Sequence, residues 1–225
     1  EIYTGEDTLS LHDALPIYSS QLATTAYVMN TLASPANGFA WSTTGNANMT
    51  DGTNFFGTTD AQPLNFKLNN IISGRFDVDA IIGQATLGYG AGANTIRSTA
   101  ASTFYGTKNT GIGYQAIFST SYGKENTALG YQALLSNKSG SSNTAIGYQA
   151  MMNANDNTNS NTSLETSNTA IGYQALMGSA TPASNTGTRN TAIGYQALKA
   201  NTTGNYNIAT GYNALINNTT GSYNV

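Results

Sequence analysis

The nonapeptide NTAIGYQAL at residues 168–176 decides the fold, because close variants of it recur along the second half of the chain. The six copies begin at Asn109, Asn126, Asn143, Asn168, Asn190 and Asn207. The Gly-Tyr pair of each copy starts at Gly113, Gly130, Gly147, Gly172, Gly194 and Gly211. Three of the five intervals between successive Gly-Tyr pairs are therefore equal at 17 residues, which we call the basic period, and the third and fourth intervals are longer. A fixed period is typical of architectures in which each unit packs only on its neighbours, so we predict a tandem repeat.

Each repeat is predicted to contain two short strands separated by two corners. The six glycines of the Gly-Tyr pairs mark one corner, and a second glycine seven residues earlier marks the other in five of the six copies. Segments such as Thr-Ala-Ile and Tyr-Gln-Ala-Leu have the length of a strand of three to five residues. We expect Ile146, Ile171 and Ile193 to point into a shared apolar column. The predicted fold class is all-β, a parallel β-solenoid (β-roll) of 17-residue coils.

Identical side chains one repeat apart are expected to stack on one another. The asparagines that open the motif should form hydrogen-bonded amide ladders, which is a structural role. The stacked tyrosines either shield the backbone or, with the neighbouring glutamines, bind sugars or proteins. The structural role is favoured, and the candidate ligand surface consists of Tyr131, Tyr148, Tyr173 and Tyr195.

Two intervals exceed the basic period, and the additional residues fall at 154–165 and 178–186. Both segments are rich in Asn, Ser and Thr, and Pro182 opposes strand pairing, so each is predicted to project as a polar loop. Such loops are either tolerated without a function or contact a receptor. Asn157 and Asn159 are therefore added to the candidate ligand surface.

The motif NTAIGYQAL with its Asn-Thr-Thr-Gly spacers, over residues 106–225, resembles the head repeats of trimeric autotransporter adhesins and the repeats of phage and bacterial tail-fibre proteins. The resemblance implies a parallel β-roll that assembles as a trimer. It also implies an extended structural protein.

The sequence before the repeats divides into three segments. Residues 8–17 (TLSLHDALPI) resemble translated sequencing-adapter DNA, so residues 1–17 are interpreted as an artefact or as disordered. Residues 18–35 are predicted to form a short N-terminal helix or stem, since apolar residues recur at helical spacing.

Residues 36–80 are predicted to form a small antiparallel β unit that caps the repeats, because Leu64, Phe66 and Leu68 alternate with polar residues. The repeats then occupy residues 81–225, with a degenerate first copy at residues 87–91. The last residues begin a further copy, so we expect the native protein to continue.

Composition disfavours several classes of function. Only 8% of residues are charged, the net charge is −3 and no basic cluster occurs, so nucleic-acid binding is not expected. The sequence contains no run of eighteen apolar residues, so membrane insertion is not expected. The repeats lack converging titratable side chains, so neither catalysis nor a cofactor nor a metal site is predicted.

The sequence favours the structural shaft of an extracellular fibre or adhesin that mediates attachment, on a virion tail or a bacterial cell surface. Its expected partners are sister chains, with a trimer favoured, and a host surface glycan or protein. The alternative is a self-assembling extracellular filament or matrix protein without a dedicated receptor.

Overall fold

The computed structural model describes residues 62–77, 83–94, 106–154 and 162–225. The chain divides into two compact units, Glu1–Gly57 and Thr58–Val225, and every described residue belongs to the second. The segment 1–17 and the helix predicted at 18–35 therefore lie outside the described residues.

The described residues form an all-β structure of eleven strands and one short 3-10 turn at Pro182–Ser184, with no α-helix among them. Most strands have two or three residues. Their bounds are β1 Leu64–Leu68, β2 Ile71–Phe76, β3 Ala85–Leu87, β4 Thr110–Ile112, β5 Thr127–Leu129, β6 Gly140–Ser141, β7 Thr144–Ile146, β8 Leu164–Glu165, β9 Thr169–Ile171, β10 Thr191–Ile193 and β11 Ile208–Thr210.

Nine of these strands form one sheet in the order β1-β2-β3-β4-β5-β7-β9-β10-β11. The two contacts at the β1 end are antiparallel, and all the later ones are parallel. Strands β6 and β8 pair in parallel as a separate two-stranded sheet. The predictions of an all-β fold and of parallel pairing between repeats are confirmed.

In the large sheet, equivalent residues of the motif pair with each other, whatever the number of residues between the two strands. Thr144, Ala145 and Ile146 pair with Thr169, Ala170 and Ile171, although the longest interval of the repeat region separates these strands. Neighbouring pairs separated by the basic period have the same register. The register of the large sheet therefore does not depend on the additional residues, of which Leu164 and Glu165 form β8 in the separate small sheet.

The apolar column is built mainly from alanine and leucine and contains none of Ile146, Ile171 and Ile193, so the prediction that these three point into it is wrong. Ile171 and Ile193 are 37% and 39% exposed, and Ile146 is half-buried. In each three-residue strand only the middle residue, such as Ala170, faces inward, because successive side chains of a strand point to opposite sides. The buried column consists of Ala116, Ile117, Ala128, Ala133, Leu134, Ala145, Ala150, Met151, Ala154, Ala170, Ala175, Leu176, Ala192, Ala197, Leu198 and Ala209.

The second predicted strand, Tyr-Gln-Ala-Leu, is a succession of turns instead. In residues 194–198, for example, Gln196 and Leu198 have φ of +53° and +51°, values that no strand residue adopts. This conformation turns the chain back on itself and brings Leu198 under the sheet, where it is buried. The turns still stack, because the Leu198 N–H donates to the Ala214 carbonyl of the next repeat.

The glycine of each Gly-Tyr pair directly follows a strand and has φ between +123° and +135°. A Cβ atom on Gly172 would lie 2.4 Å from the carbonyl oxygen of Gly194 in the next repeat. Both the backbone conformation and the close approach therefore require glycine at this corner.

The start of the sheet agrees with two further predictions. Strands β1 and β2 pair antiparallel, as expected for the unit predicted at 36–80, with a bulge between Phe66 and Lys67, whereas residues 36–61 and 78–80 of that unit lie outside the described residues. Strand β3 pairs in parallel with β4, so the degenerate copy at residues 87–91 is the first member of the stack. The antiparallel pairing of β2 with β3 covers the strand edge that this first member would otherwise expose.

Candidate functional site

The tyrosines of the repeats form a continuous tyrosine ladder. Neighbouring rings have centroids 5.0–5.4 Å apart and planes within 5–11° of each other. The members are Tyr89, Tyr114, Tyr131, Tyr148, Tyr173, Tyr195 and Tyr212. Ring faces are covered by the neighbouring rings, so the ladder presents ring edges to solvent.

A glutamine ladder runs next to the tyrosines. The side-chain Nε2 of Gln132 donates to Oε1 of Gln115 at 3.0 Å, and the same bond recurs from Gln149, Gln174 and Gln196 to the glutamine of the preceding repeat at 2.9–3.0 Å. The Gln132 backbone N–H also donates to the Tyr114 carbonyl. These bonds hold the tyrosine backbone at a constant spacing and leave the amides committed to one another.

An apolar row of side chains lies beside the tyrosine ladder on the outward side of the sheet. Strand pairing places its members in register from strand to strand. We call this row, together with the tyrosine ladder, the outer face. The row consists of Phe66, Leu87, Ile112, Leu129, Ile146, Ile171 and Ile193.

An asparagine ladder is buried inside the stack, as predicted. The Oδ1 of Asn109 accepts from both the backbone N–H and the Nδ2 of Asn126, at 2.9 and 3.0 Å, and the Nδ2 of Asn126 also donates to the Gly140 carbonyl at 2.9 Å. The same pattern links Asn190 to Asn207. Each amide satisfies buried backbone groups that no strand ladder reaches, so the asparagines serve the fold.

The two long intervals change this network locally. Thr166 Oγ1 donates to Asn143 Oδ1 at 2.9 Å, in the place of the asparagine Nδ2 used elsewhere. The segment 178–186 is a loop without a strand, as predicted, and its buried Asn185 donates to the Asn153 and Ser179 carbonyls at 2.6 and 3.0 Å. A cavity of about 20 Å³ lies beside Asn185 and the unpartnered Oδ1 of Asn137, which is enough room for one water molecule.

Four charged side chains of the described repeats form two separate ion pairs across the stack. Lys108 Nζ lies 3.5 Å from Glu125 Oε1, and Lys124 Nζ lies 3.8 Å from Glu165 Oε1. Throughout residues 62–77, 83–94, 106–154 and 162–225, no three His, Cys, Asp or Glu side chains gather as they would around a metal ion. The described residues of the repeats bring together aromatic, amide and aliphatic side chains, which suit packing between equivalent residues.

Sequence reasoning located the tyrosines and asparagines but missed other members of these networks. The four predicted ligand-surface tyrosines lie together on one ladder, whereas Asn157 and Asn159 lie outside the described residues. The glutamine ladder could have been found from its constant place after each tyrosine. Neither Thr166 nor Asn185 had a repeated position that could reveal its role.

Comparison of the chain with protein-family models, with curated proteins and with solved structures found no match. Within the part of the chain that the structure describes, no helix has the length and apolar character of a membrane span.

Proposed function

We propose that this chain is the structural shaft of an extracellular fibre or adhesin, in which the repeats form a β-solenoid. The observation that supports it best is the in-register stacking of equivalent residues. Thr191, Ala192 and Ile193 pair with their equivalents in both neighbouring strands, and the side chains outside the strands stack in ladders as well. Each unit binds mainly its neighbours, so length increases with repeat number without a new core.

The bonding between repeats supports a rigid rather than a flexible shaft. Each repeat is joined to the next by strand hydrogen bonds, by turn hydrogen bonds and by two ladders of side-chain amides. Bending the stack would stretch several of these bonds at once. A rigid spacer is what a fibre needs in order to hold a binding tip away from a particle or a cell.

The chemistry of the described surface supports a structural role over catalysis. Amide groups are engaged with each other, and the two exposed ion pairs of the repeats contribute about 0–1 kcal/mol each. On this proposal the chain acts outside the cell, on a virion tail or a bacterial surface, as a homo-oligomer for which the resemblance favours a trimer. Its further partner is a host surface glycan or protein.

The length of the particle as a function of repeat number tests the shaft directly. We would insert two or four additional copies of one full repeat, residues 131–147, after Gly147 in the full chain and measure the maximum dimension by small-angle X-ray scattering. We expect about 4.8 Å of additional length per copy at constant cross-section, because this is the spacing of neighbouring strands. The control inserts the same residues in scrambled order.

A wider particle instead of a longer one would contradict the shaft. Attachment is tested separately by immunogold electron microscopy of the virions or cells that produce the chain. Gold on fibres projecting from the particle supports the shaft of an attachment fibre. Gold on a matrix detached from any particle favours the alternative, a filament or matrix protein without a receptor.

A further inference from the structure

We propose that the outer face is the surface through which copies of this chain associate with one another. The inference deepens the proposed function, on which it rests, because it assigns a partner and a face to the shaft.

The outer face is evenly exposed along the stack. Its aliphatic members Ile112, Leu129, Ile171 and Ile193 are 37–46% exposed, and its tyrosines from Tyr89 to Tyr195 are 40–47% exposed. The buried residues of the same repeats, by contrast, have almost no exposure. A row of large apolar side chains that stays partly uncovered in successive strands from β3 to β10 is a property of the fold rather than of one irregular position.

The face continues beyond the repeats onto the antiparallel strands. Phe66 pairs with Gly74, and Gly74 pairs with Leu87. A Cβ atom on Gly74 would lie 3.1 Å from Leu87 Cδ1 and 3.3 Å from Phe66 Cδ2, so both side chains lie over the glycine on one side of the sheet. Phe66 also contacts the ring of Phe76 edge-on, with centroids 5.9 Å apart. The described residues therefore leave this side of the sheet uncovered from β1 to β10.

The exposed area matches that of a stable protein interface. A buried aromatic side chain covers 150–250 Å², so the exposed two-fifths of each of the six tyrosines from Tyr89 to Tyr195 leaves roughly 80 Å² apiece, and each member of the apolar row adds roughly 45 Å². The total is on the order of 800 Å². This exceeds the largest apolar patch of a typical monomer, about 300–600 Å², and equals the share of about 800 Å² that each partner contributes to a standard interface.

A second copy of this chain fits the face better than an unrelated partner. Tyrosine rings between Tyr114 and Tyr212 repeat every 5.0–5.1 Å, and only a surface with the same period can match them along the whole stack. A second copy of the chain has that period because it has the same sequence and fold. No position of the apolar row or the tyrosine ladder carries a charge, so two outer faces meet without repulsion or buried charge.

The test is a charge substitution on the outer face with a matched control off it. The test variant combines Ile171→Lys with Ile193→Lys in the full chain. The control combines Ser142→Lys with Ser167→Lys, which adds the same charge at corners with φ of +60° and +51°. Lysine suits this corner, because Lys108 occupies the equivalent position with φ of +56°.

Sedimentation velocity gives the mass of each variant, and circular dichroism checks that it is folded. We expect the unchanged chain and the serine control to sediment as oligomers, and the isoleucine variant to fall to the mass of one chain, 23.4 kDa. If the lysines prevent folding, Ile171→Thr with Ile193→Thr replaces them. Thr210 occupies the equivalent position in β11, so this variant should fold and associate more weakly.

The absence of cysteine from the sequence provides a second measurement. Ile171→Cys should react several-fold more slowly with a maleimide than Ser167→Cys in the assembled protein, and as fast once Ile193→Lys separates the copies. The inference is overturned if the unchanged chain has the mass of a single chain, or if the isoleucine variant keeps the oligomeric mass. Neither result bears on the length test, so failure of the shaft is recognised separately.

Discussion

The two sides of strand β9 differ in the side chains that they accommodate. On the inner side, Ala170 is fully buried, and the wall opposite supplies leucine and methionine from the turns. On the outer side, Ile171 belongs to a row of exposed side chains that pair in register with their equivalents along the stack. The narrow inner space accepts a small residue from the strand because the turn residues already fill it. Hydrophobic character alone therefore does not tell which side chain is in the core.

The copy of the motif that begins at Asn109 shows how closely the strand and turn side chains pack on the inner side. Gly111 stands where later strands have alanine, and a Cβ there would lie 2.5 Å from Cγ1 of Ile117. Later repeats have Leu134, Met151, Leu176 or Leu198 at the turn position instead, with alanine in the strand. The branched side chain of Ile117 thus occupies the space that the alanine methyl group fills in the later strands.

Placing one carboxylate on each side would give the largest contrast. Leu198→Asp should reduce the free energy of unfolding by about 4 kcal/mol, because it buries an unpaired charge in the column. Ile193→Asp, five residues earlier and on the outer side, should cost about 0.5 kcal/mol in the separated chain. Urea denaturation of both variants, each carrying Ile112→Lys and Leu129→Lys to keep the copies apart, makes the comparison.

Similar losses from the two aspartates would show that inner and outer sides have been assigned incorrectly. A Leu198→Met variant controls for size, since it changes the shape but not the polarity of the buried side chain, and should cost under about 1.5 kcal/mol.

A smaller effect is expected at the corner between the two sides. Gly172→Ala should cost about 3 kcal/mol, because the new Cβ meets the Gly194 carbonyl at 2.4 Å and the residue keeps φ of +133°. Gly211→Ala has a similar φ of +123° but nothing within 4 Å of its Cβ, so it should cost about 1.5 kcal/mol.

The difference between the two glycine variants, measured by thermal unfolding, separates contact between repeats from backbone strain. Equal losses would mean that strain alone requires glycine there.

The smallest effect is expected from shortening the longest interval. Removing the eight residues 156–163 restores the basic period and should change stability by about 0.5 kcal/mol, because loop length has only a weak effect. Binding of this variant to the surface of host cells then decides the role of the loop. Full adhesion would place recognition elsewhere, while lost adhesion in a folded variant would assign it to this loop and to Asn157 and Asn159.

Much of this architecture follows from the sequence because the same residue types recur at equivalent positions of successive repeats. The period, the corner glycines and the stacking of Tyr131 on Tyr148 need only the knowledge that equivalent residues lie side by side. The antiparallel start follows from the alternation around Phe66.

Other features depend on the direction in which a side chain points, which periodicity does not give. A three-residue strand has too few residues to show its alternation, so Ile171 was assigned inward and Ala170 was overlooked. The positive φ of Gln174 and Leu176 belongs to residue types that rarely adopt it, and nothing local signals it. Thr166 and Asn185 act only where the period is interrupted, so no repetition reveals them.

The spacing of the tyrosine rings has a mechanical consequence. Rings of successive repeats have centroids only 5.0–5.1 Å apart, yet a single repeat of the basic period pulled straight reaches about 60 Å. Under tension, each repeat that peels from the end of the stack would therefore release more than ten times the length it occupied when folded. A tether of this kind stays short at low load and, when the load rises, yields one repeat at a time and dissipates energy before its attachment breaks.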